Sequence, residues 1–461
     1  MEMSFKILLK KQFHRHICRI LALSLIIATG LEGCSLESAP LTEQETYEDI
    51  TGLSLTPMVS SGYEIAYTRT AVTSSIFVNP TGYDAQSEKK VYFISRDLGQ
   101  TFTVCRAGTE DAVYVGQIGD PKTDTTTQQE ICAGDFSSFK TPGTYIIKTD
   151  YLGESREFTI VTDMSDSLLL ENFESFLADF SAMKEQKGEA LEASFEDLAC
   201  RMVAYLLSYS LFTNHFDDAT LERFSGNNAP DVLDVCMQVT DWLLETESGL
   251  SDESGLGGNA ELLAAGVLAR FARAFNKYDS SYCNRCKKLA EKYYKAVRKS
   301  DKEPDSEILF YTATELYHLT GTATYRDQAL QLYGTDGIAV DGSFLSFAGC
   351  VSYMMGKKST DLDTCNEIMK TIMKHANQII YHYGNDYFGV ANRDLNEAIA
   401  EIQNILVANY VLDSGEYDAI IEDYTTYLQG LNAEGLALEP TGEDVYRYIL
   451  LLCERAGRNE S

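Results

Sequence analysis

Between Thr159 and Asp163 the spacing of apolar positions changes from two residues to about three and a half, and it does not change back. Upstream, 76-IFVNPTGYDAQSEKKVYFI-94 and 145-YIIKTDYLGESREFTI-160 alternate apolar and polar residues between Gly, Pro, Asn and Asp turns. That alternation predicts antiparallel strands with one buried face. Downstream, stretches such as 199-ACRMVAYLLSYSLF-212 and 261-ELLAAGVLARFARAF-275 carry apolar residues at helical spacing. Helices are predicted at about 165–186, 192–213, 229–247, 258–276, 280–299, 304–319, 323–333, 342–357, 360–381, 394–413, 415–429 and 442–456. Twelve helices in consecutive pairs satisfy a six-hairpin (α/α)6 toroid. Its inner ring should be the more apolar, because it is covered on both faces.

The N-terminus follows a different pattern. Lys6, Lys10, Lys11, Arg15 and Arg19 precede the apolar run 20-ILALSLIIATGL-31. A basic flank and about a dozen apolar residues read as a secretory signal, too short for a transmembrane helix. The run ends in 31-LEGC-34, which resembles a bacterial lipoprotein cleavage box, with Cys34 as the lipidated residue and Glu32 as its unusual member. Lipidation, plain secretion and an uncleaved anchor all stand open, so the expected location is the extracellular face of a bacterial membrane or the medium. An acyl chain would contribute roughly 0.8 kcal/mol per buried methylene to a membrane anchor. Residues 35–70, rich in Ser, Thr and Glu, read as a flexible linker. The expected division is therefore 1–34 signal, 35–70 linker, 71–162 β module and 163–461 helical domain.

Composition narrows the partners. With 38 Lys plus Arg against 69 Asp plus Glu, the net charge is −31. Such a surface repels phosphate backbones, which excludes nucleic acid, and it lacks the basic patch that adheres to anionic lipid. Of the 11 cysteines, nine lie beyond Cys34, an odd number that cannot all pair within the chain. Cys105 and Cys132 share the β module and are placed to bridge. Cys283 and Cys286 form a CxxC inside a helical pattern, with no second CxxC or nearby His to complete a zinc set, so they read as two small hydrophobes. No cofactor and no metal are expected.

The stretches 76-IFVNPTGY-83, 88-EKKVYFI-94, 135-DFSSFKTPGTY-145 and Ser155–Ile160 resemble, in order, the immunoglobulin-like domain at the N-terminus of many family 9 glycoside hydrolases of the cellulase type. Each also makes local sense. Asn79-Pro80-Thr81-Gly82 breaks a strand with a glycine free to take positive φ. Pro142-Gly143 fits a type II turn, and Asp135 with Ser137 suits a side-chain-bonded turn. In the helical part, 225-SGNNAPDVLDVCMQVTDWLLE-245, 305-DSEILFYTATELYHLTGTATYRD-327 and 423-DYTTYLQGLNAEG-435 resemble turns and helices of the same family. Asn227 or Asn228 suits a helix cap there, Pro230 the first turn, and Asp231 and Asp234 the positive end of the helix dipole. The resemblance implies an immunoglobulin-like β-sandwich followed by an (α/α)6 toroid.

It also implies chemistry that these residues do not supply. Inverting glycosidases place two carboxyl groups roughly 6.5–9.5 Å apart. In family 9 the base lies in an Asp-Ala-Gly-Asp motif before a long inner helix, and the acid is a Glu near the C-terminus after a His-Arg stretch. Counting back from 195-FEDLACRMVAYLLSYSLF-212 lands on 187-KGEA-190, with Lys187 and Ala190 at the two aspartate positions. An ammonium cannot act as the base at neutral pH unless strongly desolvated, and Ala cannot act at all. After Gly435 there is no His, and Glu443 opens a helix, where capping explains it better than acid catalysis.

Glu189 and Glu443 are the remaining catalytic candidates, among acidic neighbours (Glu192, Glu196, Asp197, Glu434, Glu439, Asp444) that read first as a solvated face. Trp242 sits mid-helix and reads as core. Tyr381, Tyr383 and Tyr387, with Phe388, form an aromatic loop that either lines a sugar cleft or packs beneath the toroid. His375 and His382, seven apart, read as surface or half-buried histidines, and His215 and His318 carry no stronger signal. Two functions stand against each other, with a purely structural envelope lipoprotein behind them. One is a surface-anchored, catalytically degenerate family 9-like protein binding poly- or oligosaccharide or serving assembly. The other is an active cellulase-type glycosidase, inverting, with relocated carboxylates.

Overall fold

A computed structural model of the chain describes residues 75–457, apart from 96–97, 110, 125–127, 219–220, 222, 225, 247–254, 336–337, 357, 359, 383–387, 389 and 391–393. The signal, Cys34 and the linker lie outside the described residues, as do Tyr383 and Tyr387. No helix among the described residues is long and apolar enough to cross a membrane.

The alternating segments form a two-sheet sandwich. One sheet orders β1 (Ile76–Phe77), β3 (Lys90–Ile94), β7 (Glu130–Asp135) and β6 (Lys122–Thr123), all antiparallel. The other orders β2 (Tyr83–Asp84), β10 (Phe158–Val161), β8 (Gly143–Thr149), β4 (Thr101–Arg106) and β5 (Ala112–Gln117), with β9 (Gly153–Glu154) on β8. Among the described residues only the short β2–β10 pairing is parallel. Period-two patterning decides which faces meet: Phe158 and Ile160 are buried while Thr159 and Val161 between them are exposed. Phe93, Phe102, Phe136 and Tyr145 fill the space between the sheets.

Two local expectations are corrected. Gly143 does not close a type II turn; it opens β8 opposite Ile160 at φ 154. Tyr145 explains the glycine, since its hydroxyl folds back to donate to Thr141 O at 3.1 Å and a Cβ at position 143 would lie 2.9 Å from it. Cys105 and Cys132 do not bridge: they stand buried on strands of opposite sheets. The Asp135–Ser137 turn forms as expected, with Ser137 N donating to Asp135 Oδ1 at 2.7 Å.

The period switch is a real junction. β10 ends at Val161, and α1 (Met164–Met183) begins with Met164 N donating to Asp84 Oδ2 at 3.1 Å. There follow α2 (Glu189–Leu211), α3 (Asp231–Thr246), α4 (Gly258–Phe275), α5 (Ser280–Val297), α6 (Ser306–Thr320), α7 (Ala323–Leu332), α8 (Phe344–Met355), α9 (Leu362–His382), α10 (Leu395–Leu412), α11 (Asp418–Leu428) and α12 (Glu443–Arg455). Each matches a predicted segment to within a few residues.

The even-numbered helices form an inner ring: α2 packs on α4, α4 on α6, α6 on α8, α10 on α12 and α12 back on α2. As expected they are the more deeply covered, with Leu262–Ala272 of α4 and Ile308–His318 of α6 buried without interruption. Small residues allow this closeness. A Cβ on Gly266 would lie 2.8 Å from Thr312 Oγ1, and one on Gly349 would lie 2.7 Å from the Phe310 ring.

The ring also encloses charge. Glu315, fully buried, pairs with Arg270 at 3.2 Å and with Arg273. Arg270 reaches on to Ser352 Oγ at 2.9 Å, Ser210 Oγ at 2.8 Å and Leu206 O at 3.3 Å, so one guanidinium joins α2, α4, α6 and α8. Burial of charges is tolerated only where partners replace water in this way.

Sandwich and toroid belong to one compact unit, Ala71–Ser461. Asn79 Nδ2 donates to Gln429 Oε1 at 3.0 Å, Thr81 Oγ1 to Gln429 O at 2.7 Å, and Arg156 Nη1 to Gly435 O at 3.2 Å. Lys90 pairs with the buried Asp423 at 2.5 Å, and Phe388 sets its ring edge-on to Tyr92 and Tyr427.

Candidate functional site

The inner helices bring their N-termini to one end of the ring, where side chains and backbone amides cross-link them. Glu192 Oε1 accepts from Gly257 N at 3.1 Å, joining α2 to the start of α4. Asn259 Oδ1 accepts from Asp305 N at 3.0 Å, joining α4 to α6. Glu307 accepts from Ser343 Oγ at 2.5 Å, joining α6 to α8. Glu443 Oε2 accepts from Phe344 N at 3.1 Å, joining α12 to α8, and Asp197 Oδ1 accepts from Tyr446 Oη at 2.9 Å, closing α12 onto α2. Carboxylates belong at helix N-termini, where the dipole is positive and the first N–H groups lack partners.

The catalytic candidates fall at this end in different states. Lys187, Glu189 and Ala190 are exposed on the turn that starts α2, with Gly188 at φ 59. Glu443 is half-buried, and its carboxylate serves Phe344 N and also Arg447 Nη2 at 2.7 Å. It caps a helix, as expected, but the helix is α8 rather than its own. Glu196 is half-buried, and desolvation first, then the charges of Glu192 and Asp305, hold its carboxyl above the usual range. Asp197 pairs with Arg201 at 2.7 Å, while Glu434 and Glu439 are exposed. Tyr381 is 75% exposed. Trp242 is half-buried against Phe180 and Phe195, in keeping with a packing role.

A cavity of about 430 Å³ opens where the inner ring is least sealed, since α8 and α10 lack the close packing of the other neighbours among the described residues. The loop before α8 contributes Asp341, α9 contributes His375, α10 contributes Glu401, Gln403 and Asn404, and α12 contributes Arg447. The size falls within the roughly 300–1,000 Å³ of small-molecule sites. Gln403 and Asn404 are 3% and 5% exposed, and Gln403 Oε1 and Asn404 Oδ1 have no hydrogen-bond partner among the described residues. Each such oxygen costs about 1–3 kcal/mol relative to a satisfied one. Sequence reasoning missed both amides. Their sequence signal is the interruption of a largely apolar inner helix, 398-AIAEIQNILVA-408, by Glu401 and the adjacent Gln and Asn.

One cluster offers oxygen ligands to a hard cation: Asp218, Asp231 and Asp234 place carboxylate oxygens within 4.8 Å of one another at the start of α3. Burial is the main cause that pushes the Asp234 carboxyl up to about 6. Much of the cluster's capacity is spent on folding, because Asp231 accepts from Leu221 N at 2.5 Å and Asp218 from Gly226 N at 2.9 Å and Asn228 N at 2.6 Å. Neither Asn caps α3 in the expected way; Asn227 bonds Ala229 N at 2.7 Å and Asp234 at 2.9 Å instead. Cys283 and Cys286 are free thiols buried on one turn of α5, and His318 is buried beside the Arg270–Glu315 network.

Comparison with known proteins fits this architecture. Residues 71–154 match the cellulase N-terminal immunoglobulin-like domain family. No curated protein matches the sequence at a significant level. Among solved structures, a metagenome-derived glycoside hydrolase family 9 endoglucanase superposes with a TM-score of 0.60 at 18% identity, covering 78% of this chain and 84% of its own. A family 9 protein of Bacteroides ovatus gives 0.58 at 15% identity, covering 83% and 98%. AaCel9A, solved with a cellobiose-like isofagomine, gives 0.56 at 16% identity, covering 78% and 83%. The chain is thus family 9-like in fold, a cellulase-type N-terminal immunoglobulin-like domain set on an (α/α)6 helical domain.

Proposed function

We propose that this protein is held at a bacterial cell surface by a lipid on Cys34 and binds poly- or oligosaccharide without cleaving it. One observation carries the reading. Lys187 and Ala190, on which the family's base position falls by counting back from α2, lie on an exposed turn, and the C-terminal carboxylate candidate, Glu443, is committed to Phe344 N and Arg447. A general acid must be free to offer a proton to a leaving oxygen, and this carboxylate is already engaged by an amide and a guanidinium. The fold supports glycan as the ligand class, since AaCel9A was solved with a cellobiose-like isofagomine.

The purified ectodomain should release no reducing ends from soluble β-glucans, chitooligosaccharides or aryl glycosides. Turnover that disappears in Glu189→Gln or Glu443→Gln would overturn the reading. Cys34→Ala should move the protein from the membrane to the soluble fraction; unchanged retention counts against lipidation.

A second reading, an active glycosidase with relocated carboxylates, is favoured by Glu196, a half-buried carboxyl at the N-terminal end of the inner ring that burial, then Glu192, holds above the usual carboxylate range. Activity abolished by Glu196→Gln would establish it.

A further inference from the structure

The cavity lined by the turn before α8 and by α9, α10 and α12 does not draw on the catalytic candidates named above. None of its lining comes from 187–197 or 434–446. We propose that it is a pocket for one neutral, multiply hydroxylated unit, a single sugar or the end of an oligosaccharide, held by Gln403 and Asn404 through hydroxyls on adjacent carbons. The proposal rests on the glycan-binding reading above and assigns that binding a place and a specificity.

Three observations carry it. First, Gln403 Oε1 and Asn404 Oδ1 are buried acceptors without donors, on side chains that line an accessible space. Buried polar atoms in folded proteins almost always have partners, so a consecutive pair of exceptions facing one cavity calls for a ligand that brings donors. Hydroxyls do so and can accept from the amide NH2 groups in return. Second, the field of the cavity is unfavourable to anions. Asp341 and Glu401 line it, and the cation there, Arg447, is already paired with Asp444 at 2.9 Å and Glu443 at 2.7 Å. A uronate or phosphate would enter against two carboxylates, toward a guanidinium whose charge Asp444 and Glu443 already offset and whose one unpartnered nitrogen, Nε, is itself buried. Third, no Tyr, Phe or Trp lines the cavity among the described residues, so recognition is by hydrogen bonds to the edge of one ring rather than by stacking along a chain.

The test is calorimetric titration of the full chain in detergent with glucose, galactose, mannose, xylose, cellobiose and glucuronate. At least one neutral sugar should bind, with glucuronate at least tenfold weaker than its neutral parent. Gln403→Leu and Asn404→Leu should each weaken sugar binding at least tenfold, about 1.4 kcal/mol. Their melting temperatures without sugar should equal or exceed that of the wild type, because each removes an unpaired buried amide; a purely structural role would lower them. Ala400→Phe, which fills the cavity and leaves both amides in place, should abolish binding and guards against misfolding of the Leu variants.

Sugar binding unaffected by all three variants would overturn this pocket while leaving glycan binding standing. Glucuronate binding as tightly as glucose would overturn the charge argument. No binding of any sugar would overturn both the pocket and the glycan-binding reading. Release of reducing ends with variant effects intact would overturn only the loss of hydrolysis.

Discussion

The carboxylate of Glu443, the first residue of α12, accepts a hydrogen bond at 3.1 Å from the backbone N–H of Phe344, the first residue of α8. A residue of one helix thus caps another that is remote in sequence, which gives this carboxylate a structural task. Glu443→Ala should lower stability by about 0.5–2 kcal/mol, the usual loss for a helix cap. A urea midpoint indistinguishable from wild type would mean that water replaces the carboxylate at no cost.

Glu315 should be the most sensitive charged residue in the ring. Its removal leaves the buried Arg270 and the half-buried Arg273 without their counter-charge. Glu315→Gln should cost about 3–5 kcal/mol in chemical denaturation, the range for breaking a buried pair from one side. A loss below about 1 kcal/mol, the size of an exposed pair, would show that water reaches the site.

Acid should destabilise the fold partly through His318. Burial, followed by the charge of Arg273, pushes its imidazole down to about 3 from an ordinary value of about 6.5. Between those values the unfolded chain binds a proton that the folded chain refuses, so stability is complete above about 6.5 and falls as pH drops toward 3. Glu315, held below the usual carboxylate range by the two arginines despite its burial, adds loss in the same direction at the acid end. Asp234, raised to about 6, acts oppositely, contributing stability below the unfolded carboxyl value that is lost as pH rises through 6. Denaturation midpoints between pH 7 and 4 should fall less steeply in His318→Leu than in the wild type; parallel slopes would remove His318 from the account.

Gly349→Ala should destabilise by about 1–3 kcal/mol, because the new methyl meets the Phe310 ring where α6 and α8 touch. Thermal unfolding reads this directly, and an unchanged Tm would mean that the ring turns aside freely.

The architecture was largely legible in the chain because periodicity and burial are local and cumulative. Each of the twelve helices matched a segment predicted from apolar spacing, and Thr159–Asp163 is the span where β10 gives way to α1. The failures were local as well. Gly143 was read as a turn residue from the dipeptide it forms with Pro142, whereas the Tyr145 hydroxyl two residues on makes it an extended strand residue. Cys105 and Cys132 looked pairable by module, but the sandwich puts them in opposite sheets.

The sequence by itself determined a β module joined to a long helical domain and the apolar inner ring. Both follow from the order and type of residues within single segments. Only the tertiary structure decided what Glu443, Gln403 and Asn404 do. A carboxylate becomes a cap for a helix some hundred residues away, and two amides become unpaired acceptors on a cavity, only when ring closure fixes which helix ends meet and which pair of neighbours stays apart. Those are long-range facts of packing, and no window along the chain contains them.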